Sequence, residues 1–132
     1  MIRLDPGEEV LTEVKRICEA EGILLGEFRA LGAARYLEVG VYDVAAQEYF
    51  KESYEGSYEI NTIFGTITSM NGEVYLHAHL SASTLEGKTI GGHLNQAIIS
   101  GTCEMVLEPM EGSVGHRKSP ITGLNEWDFE SC

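Results

Sequence analysis

The sequence predicts an α+β fold in which a mostly antiparallel β-sheet packs against one main N-terminal helix. Apolar residues recur at helical spacing only near the start of the chain. From residue 23 onward, short runs alternate apolar and polar side chains, and glycines or polar breaks separate them. An Asn-Gly pair at 71–72 joins two of these runs with the residue types that a tight hairpin turn requires.

Length and composition predict one domain that spans residues 1–132. The first residues are charged, and no apolar run approaches the roughly 20 residues that a membrane-spanning helix needs. The three cysteines, Cys18, Cys103 and Cys132, form no CxxC pair, which is typical of reduced thiols. We therefore expect a cytoplasmic protein that has no membrane partner.

The helix is the first predicted element. Asp5 can cap it, Pro6 suits the first helical position, Glu8 completes a capping-box spacing, and Gly22 supplies the stop. Its apolar face consists of Val10, Leu11, Val14, Ile17 and Cys18.

Six strand-like runs follow the helix. They cover residues 23–31, 36–43, 47–54, 58–69, 73–83 and 102–109. Because Asn71 and Gly72 can both adopt positive φ, residues 58–69 and 73–82 are predicted to pair as a hairpin with a type I′ turn.

Two segments depart from this alternation. Residues 84–101 contain four glycines and are predicted to form a loop, with a short helical turn at 94–99. The tail, residues 121–131, could add a last edge strand that carries Trp127 and Phe129 on the same side.

The charge balance bears on partners. The chain carries 21 acidic and 9 basic residues, for a formal net charge of -12. The main basic cluster, residues 116–118, has acidic flanks and is typical of a solvated strand end or loop. A nucleic-acid partner is therefore unfavourable, because phosphate binding requires Lys and Arg gathered on one face.

Two histidines share one face of a predicted strand. Alternation places His77 and His79 together, roughly 7 Å apart at the backbone, and opposite an apolar face. That apolar face consists of Val74, Leu76, Ala78 and Leu80. Neutral imidazoles at i and i+2 can converge on zinc or a similar divalent ion.

A third histidine follows a glycine pair. His93 comes after Gly91 and Gly92, where the backbone can approach another chain segment closely. Three histidines without a nearby cysteine would leave a position on the ion for water or a small ligand. The alternative is that His77, His79 and His93 are ordinary surface or interface residues.

Four segments in order resemble the PPC domain, the plant and prokaryote conserved domain that is also written PCC. They are "EGSYEINTIFGTI", "GEVYLHAHLSAS", "GKTIGGHL" and "GTCEMVL", and the resemblance covers roughly residues 1–118. It implies an antiparallel sheet with a packed helix, assembled as a homotrimer. It also implies a metal site, often one for zinc, at His77, His79 and His93.

The sequence departs from the plant members of this family. Their Gly-Arg-Phe-Glu-Ile-Leu element, which mediates contacts with transcription factors, corresponds to residues 56–61, where Ser57 replaces the Arg and Asn61 the Leu. No Arg-Gly-Arg core of an AT-hook occurs in the chain. Prokaryotic members are often described as predicted DNA-binding proteins, which the acidic balance of this chain opposes.

Three functions follow from these observations. The first is a metal-dependent binding or catalytic domain with room for a small-molecule ligand, in which Glu59 or Glu73 would accept a proton if a reaction occurs. The second is a non-catalytic scaffold for a protein partner. DNA binding is the third and least favoured.

Overall fold

The structure is a computed structural model that describes residues 1–130, so Cys132 lies outside the described residues. One helix and seven strands occur in this part of the chain. They are β1 (Ile2–Leu4), α1 (Val10–Glu21), β2 (Gly26–Asp43), β3 (Glu48–Met70), β4 (Glu73–Ser83), β5 (Thr89–Pro109), β6 (Gly115–Lys118) and β7 (Asn125–Asp128). The predicted α+β class is confirmed.

The main sheet is antiparallel and has the strand order β1-β5-β2-β3-β4. The first part of β5 also pairs with β4, so β2, β3, β4 and β5 close on themselves. The closure occurs at His93, which is opposite Gly40 of β2 on one side and His79 of β4 on the other. This junction is where the candidate site forms.

The hairpin between β3 and β4 has the predicted turn. Asn71 and Gly72 have φ values of 53° and 81°, and the flanking Met70 and Glu73 are paired. Alternation along β4 is also as predicted, because Ala78 and Leu80 are buried while His77 and His79 are exposed.

Longer strands replace several of the predicted short ones. The runs at 23–31 and 36–43 lie largely within β2, and those at 47–54 and 58–69 lie almost entirely within β3. β-Bulges interrupt the pairing of these strands near Gly32 and Tyr36 without ending them. The breaks read from sequence therefore mark irregularities inside strands.

The helix starts later than predicted. Glu9 is the N-cap, and its carboxylate accepts hydrogen bonds from the backbone N–H groups of Leu11 and Thr12 at 3.2 and 2.8 Å. Asp5 and Glu8 form the predicted side-chain contact, because the Asp5 N–H donates to the Glu8 carboxylate at 2.7 Å, but they do so in a turn before the helix.

That turn is held by the sheet. The Gly7 N–H donates to the Ile99 carbonyl at 2.8 Å, and the Ile99 N–H donates to the Glu8 carbonyl at 3.0 Å. These tertiary bonds compete with helix formation before residue 10. The end of the helix is as predicted, with Gly22 in the left-handed conformation.

The core lies between α1 and the inner face of the sheet. Val10, Val14 and Cys18 of the helix are fully buried. The strands contribute large apolar side chains that are also buried, including Phe28, Leu37, Ile60, Ile63, Ile67, Leu94 and Ile99. Burial of each such side chain contributes about 1.5–3 kcal/mol, so this packing is a main source of the fold's stability.

The loop predicted for residues 84–101 is wrong over most of its length. Only 84–88 forms a turn, and β5 begins at Thr89 without a helical turn at 94–99. Leu94, Ala97 and Ile99 are buried at irregular spacing because register shifts opposite β2 break the alternation. Because of this irregularity, the strand does not show the period-two pattern by which strands are predicted from sequence.

The tail forms a separate small sheet. β6 and β7 pair with each other, and Trp127 and Phe129 contact edge to face with ring centroids 5.9 Å apart. An edge strand is therefore present, as predicted, but outside the main sheet. Within the described residues, no helix is long and apolar enough to cross a membrane.

Candidate metal centre

Three of the four histidines meet on the outer face of the sheet. His77 and His79 come from β4, and His93 is the direct cross-strand partner of His79. The three ring centroids are 5.1 to 5.6 Å apart, and one ring nitrogen from each residue lies within 4.8 Å of the others. The structure therefore brings together all the residues that the sequence nominated as metal ligands.

The glycine pair before His93 permits this arrangement. A Cβ atom at Gly91 would clash with the carbonyl oxygen of Leu80 in β4. A Cβ atom at Gly92, where φ is 151°, would clash with the carbonyl oxygen of Gly40 in β2. His93 reaches the other imidazoles because both neighbouring strands approach its backbone closely.

The cluster fits a tetrahedral ion. Zinc holds imidazole nitrogens at about 2.0–2.1 Å, which sets the ligand nitrogens roughly 3.3 Å apart. Nitrogens already within 4.8 Å of each other reach that spacing by small side-chain rotations. The donor set, three neutral imidazoles, suits zinc and similar divalent ions.

A buried hydroxyl beside His77 supports the same fit. Thr66 of β3 is the cross-strand partner of His77, and its Oγ1 atom is buried without a hydrogen-bond partner among the described residues. A metal-bound imidazole donates its second ring N–H to a nearby acceptor. Thr66 Oγ1 is a ready acceptor for that N–H of His77.

The electrostatics favour uncharged imidazoles. Partial burial lowers the pKa of His77 below its usual value, and the nearby His79 and His116 lower it further. Burial lowers the pKa of His93 to about 4, and His77 and His79 add to the effect. Both rings are therefore neutral at pH 7, which is the form that binds a metal.

The cluster opens into a pocket of about 720 Å³. The polar groups that line it besides the histidines are Tyr42, Tyr49, Tyr75, Asn95, Lys118 and Asn125. Val41 and Leu124 add apolar surface. This volume is ample for a small organic molecule beside the ion's open position.

The chain that follows β5 forms one wall of the pocket. The Tyr42 hydroxyl donates to the Thr122 carbonyl at 2.9 Å, and the Gln47 side-chain amide donates to the Ile121 carbonyl at 3.0 Å. The ring of His116 in β6 lies on Tyr75, with centroids 4.2 Å apart. These contacts hold the segment that includes β6 against β2, the β2–β3 turn and β4.

The carboxylates considered as proton acceptors lie elsewhere. Glu73 forms an ion pair with Lys15 of α1 at 3.7 Å, and Glu59 is an exposed residue opposite Ser83. Neither residue lines the pocket. No carboxylate of the described residues does.

The two described cysteines are not candidate nucleophiles. Cys18 and Cys103 are buried free thiols, and burial raises the pKa of each to about 11. A thiol with so high a pKa holds almost no thiolate at pH 7.

Sequence reasoning missed most of the pocket's polar lining. Tyr49 is the β3 partner of Tyr42, so hairpin register could have indicated it. Asn95 lies in β5, in the segment that was predicted as a loop, and at a register shift opposite β2. No local pattern identifies Lys118, since it reaches the pocket only through the packing of β6 on β3.

The fold and the histidine cluster define a small α+β domain with a candidate metal centre on its sheet. The chain belongs to the Plants and Prokaryotes Conserved (PCC) domain family, whose model matches residues 1–111. A comparison with curated proteins gave no match.

Solved structures agree with this assignment. A protein from Bacteroides thetaiotaomicron, described as a candidate DNA-binding protein, is 30% identical with a TM-score of 0.93, over 97% of this chain and 90% of its own. A plant- and prokaryote-conserved protein from Pyrococcus horikoshii is 30% identical with a TM-score of 0.88, over 96% and 88%. A metal-containing protein from Archaeoglobus fulgidus is 27% identical with a TM-score of 0.88, over 96% of this chain and 89% of its own.

Proposed function

We propose that this PCC-domain protein binds a divalent metal, zinc, through His77, His79 and His93 and offers the ion's open position to a small-molecule ligand. The observation that carries the proposal is the convergence of three imidazoles, one ring nitrogen of each within 4.8 Å of the others, in the lining of a pocket. The Archaeoglobus relative, which is described as metal-containing, supports it.

Three protein ligands are typical of zinc sites that keep a position for water or substrate. Zinc in such a site supplies Lewis-acid chemistry and lowers the pKa of its bound water. The chain's own contribution is to hold neutral imidazoles in place, and the unpartnered Thr66 hydroxyl, cross-strand from His77, would accept the second ring N–H of that residue when the ion is bound. Because no carboxylate lines the pocket, the described residues supply no general base of that type.

Elemental analysis of untagged protein tests the metal site. We expect about one zinc ion per chain in the native protein and its loss in the His77→Ala, His79→Ala double variant, because one imidazole cannot hold the ion alone. The matched control is His116→Ala, which removes the one histidine outside the cluster.

Two results would contradict the proposal: native protein purified free of metal, or full metal content in the double variant. Metal-free native protein would favour the alternative, a non-catalytic scaffold module in which the histidines are ordinary surface residues. Another ion at full occupancy would keep the site and change only its metal.

DNA binding, the role given for the Bacteroides relative, is the less favoured function. Six of the nine basic residues form ion pairs with carboxylates, which reduces the charge available to phosphates. Within residues 1–130, the basic side chains outside ion pairs are Arg35, Lys88 and Lys118, which come from three separate elements or turns. Such a distribution does not form a phosphate-binding face.

The proposed assembly is a homotrimer, as the family resemblance implies. Leu31 and Phe64 are exposed on the outer face of the sheet, at 56% and 50%. Leu31 also lines a second cavity of about 570 Å³ together with Met105 and Val106. Apolar side chains of this kind gain stability when a second copy covers them. The cytoplasmic location stays a prediction from sequence.

A further inference from the structure

The charge of the pocket is opposite to that of the molecule. The chain carries 21 acidic residues against 9 basic ones, yet the described lining contains no carboxylate and one lysine, Lys118. A cavity that excludes acidic side chains from such a chain lowers the cost of bringing in a negative charge. This observation concerns the ligand of the proposed metal centre and rests on that proposal.

Lys118 is free to bind a ligand. Alternation along β6 puts it on the same side as His116, whose ring lies on Tyr75 at the pocket. In residues 1–130 no carboxylate forms an ion pair with Lys118. Its neighbour Arg117 points the other way and pairs with Glu126 at 3.2 Å and Glu130 at 3.4 Å.

Two tyrosine hydroxyls retain a proton to donate. Tyr49 accepts a hydrogen bond from the side-chain amide of Asn95 at 2.6 Å. Tyr75 accepts one from the amide of Asn125 at 3.2 Å. Because each hydroxyl accepts in these bonds, its own O–H can donate into the pocket.

We propose that the pocket binds a small carboxylic acid, with an oxygen at the open metal position and its negative charge near Lys118. A single lysine matches a single charge. A phosphate site would be expected to offer arginine forks or a helix N-terminus, and the described pocket lining has neither. The apolar surfaces of Val41 and Leu124 suit the organic part of such a molecule.

The test uses full-length protein loaded with cobalt(II), whose visible spectrum reports its ligands. Lactate is titrated against its neutral amide, lactamide, with binding followed by the spectrum and by calorimetry. We expect lactate to bind at least about tenfold more tightly than lactamide, because a charge-assisted hydrogen bond is lost with the amide. Lys118→Met should weaken the binding of lactate by about tenfold or more and leave the affinity for lactamide unchanged.

The matched control is Arg117→Met, which removes the same charge from the opposite face of β6 and should change lactate affinity by less than about twofold. Equal affinities for lactate and lactamide, or equal effects of Lys118→Met and Arg117→Met on lactate affinity, would overturn the carboxylate assignment and leave the metal centre standing. Tighter, Lys118-dependent binding of inorganic phosphate would also overturn it. Failure of cobalt to load would instead remove the metal centre itself, which separates the two proposals.

Discussion

At the residue scale, the surroundings of His93 decide its protonation state. It is half-buried between β2 and β4, and burial together with two neighbouring imidazoles lowers its pKa to about 4. His77 has a lowered pKa for the same reasons. His77 and His93 are thus prepared to bind a cation without first releasing protons.

This predicts an unusual pH dependence of metal binding. We expect affinity for cobalt(II) to fall by less than about tenfold between pH 7 and pH 6, because His93, with a pKa of about 4, takes up almost no proton in this range and the lowered pKa of His77 reduces its share. Three histidines of ordinary pKa would lose about thirtyfold. Loss should steepen toward pH 4, because protonation of His93 then competes with the ion. Spectroscopic titrations of cobalt(II) in non-coordinating buffers at each pH measure this affinity. A thirtyfold loss of affinity by pH 6 would contradict the prediction.

Alternation was sufficient to predict which side chains of β4 face away from the core. The period of a strand is two, so the buried Ala78 and Leu80 oblige His77 and His79 to point outward together. Thr66 was not predicted, because its place beside His77 depends on the register between β3 and β4.

At the element scale, β5 is the strand that was not predicted over most of its first half, although it carries His93 and is essential to the site. Its glycines indicated a loop, but Gly91 and Gly92 are instead the points where β4 and β2 approach. Its bulges also break the alternation between Leu94 and Ile99. A local pattern cannot tell a glycine that frees the backbone from one that admits another strand.

The glycine pair gives a testable consequence. We expect Gly92→Ala to lower the free energy of unfolding by about 2 kcal/mol and to reduce metal content, because the new Cβ atom meets the Gly40 carbonyl and the φ of 151° is strained. Urea unfolding and elemental analysis measure the two effects.

A glycine farther along the same strand supplies the control. A Cβ atom at Gly101 would meet only the Cβ atom of Ala33, at 3.4 Å. Gly101→Ala should therefore change the free energy of unfolding by less than about 0.5 kcal/mol. If Gly92→Ala resembles this control in both measurements, close approach at the junction is not what positions His93.

At the scale of the whole molecule, the proposed homotrimer gives the clearest test. Light scattering at micromolar concentration should give a mass near three times the 14.5 kDa of one chain. Leu31→Asp should shift the protein toward monomer, because an acid introduced into an apolar contact must be desolvated.

The control for this substitution is Leu85→Asp, at a turn residue that is 83% exposed. It adds the same charge and should leave the mass unchanged. Native protein that is monomeric would contradict the assembly, and an unchanged mass in the Leu31 variant would place the interface elsewhere.

The sequence by itself determined the fold class, the β3–β4 hairpin, the end of α1 and the shared face of His77 and His79, because these follow from periodicity and turn chemistry. His93 was nominated by its glycine pair and by the family resemblance, but its place in a strand opposite His79 was not predicted. The tertiary structure alone decided where α1 begins, since Gly7 and Glu8, which precede the helix in the chain, form backbone hydrogen bonds with Ile99 of β5. It also decided the pocket: Lys118 is 25 positions beyond His93, and only the packing of β6 against β3 brings it to the site. Contacts between residues far apart in sequence leave no local pattern to read.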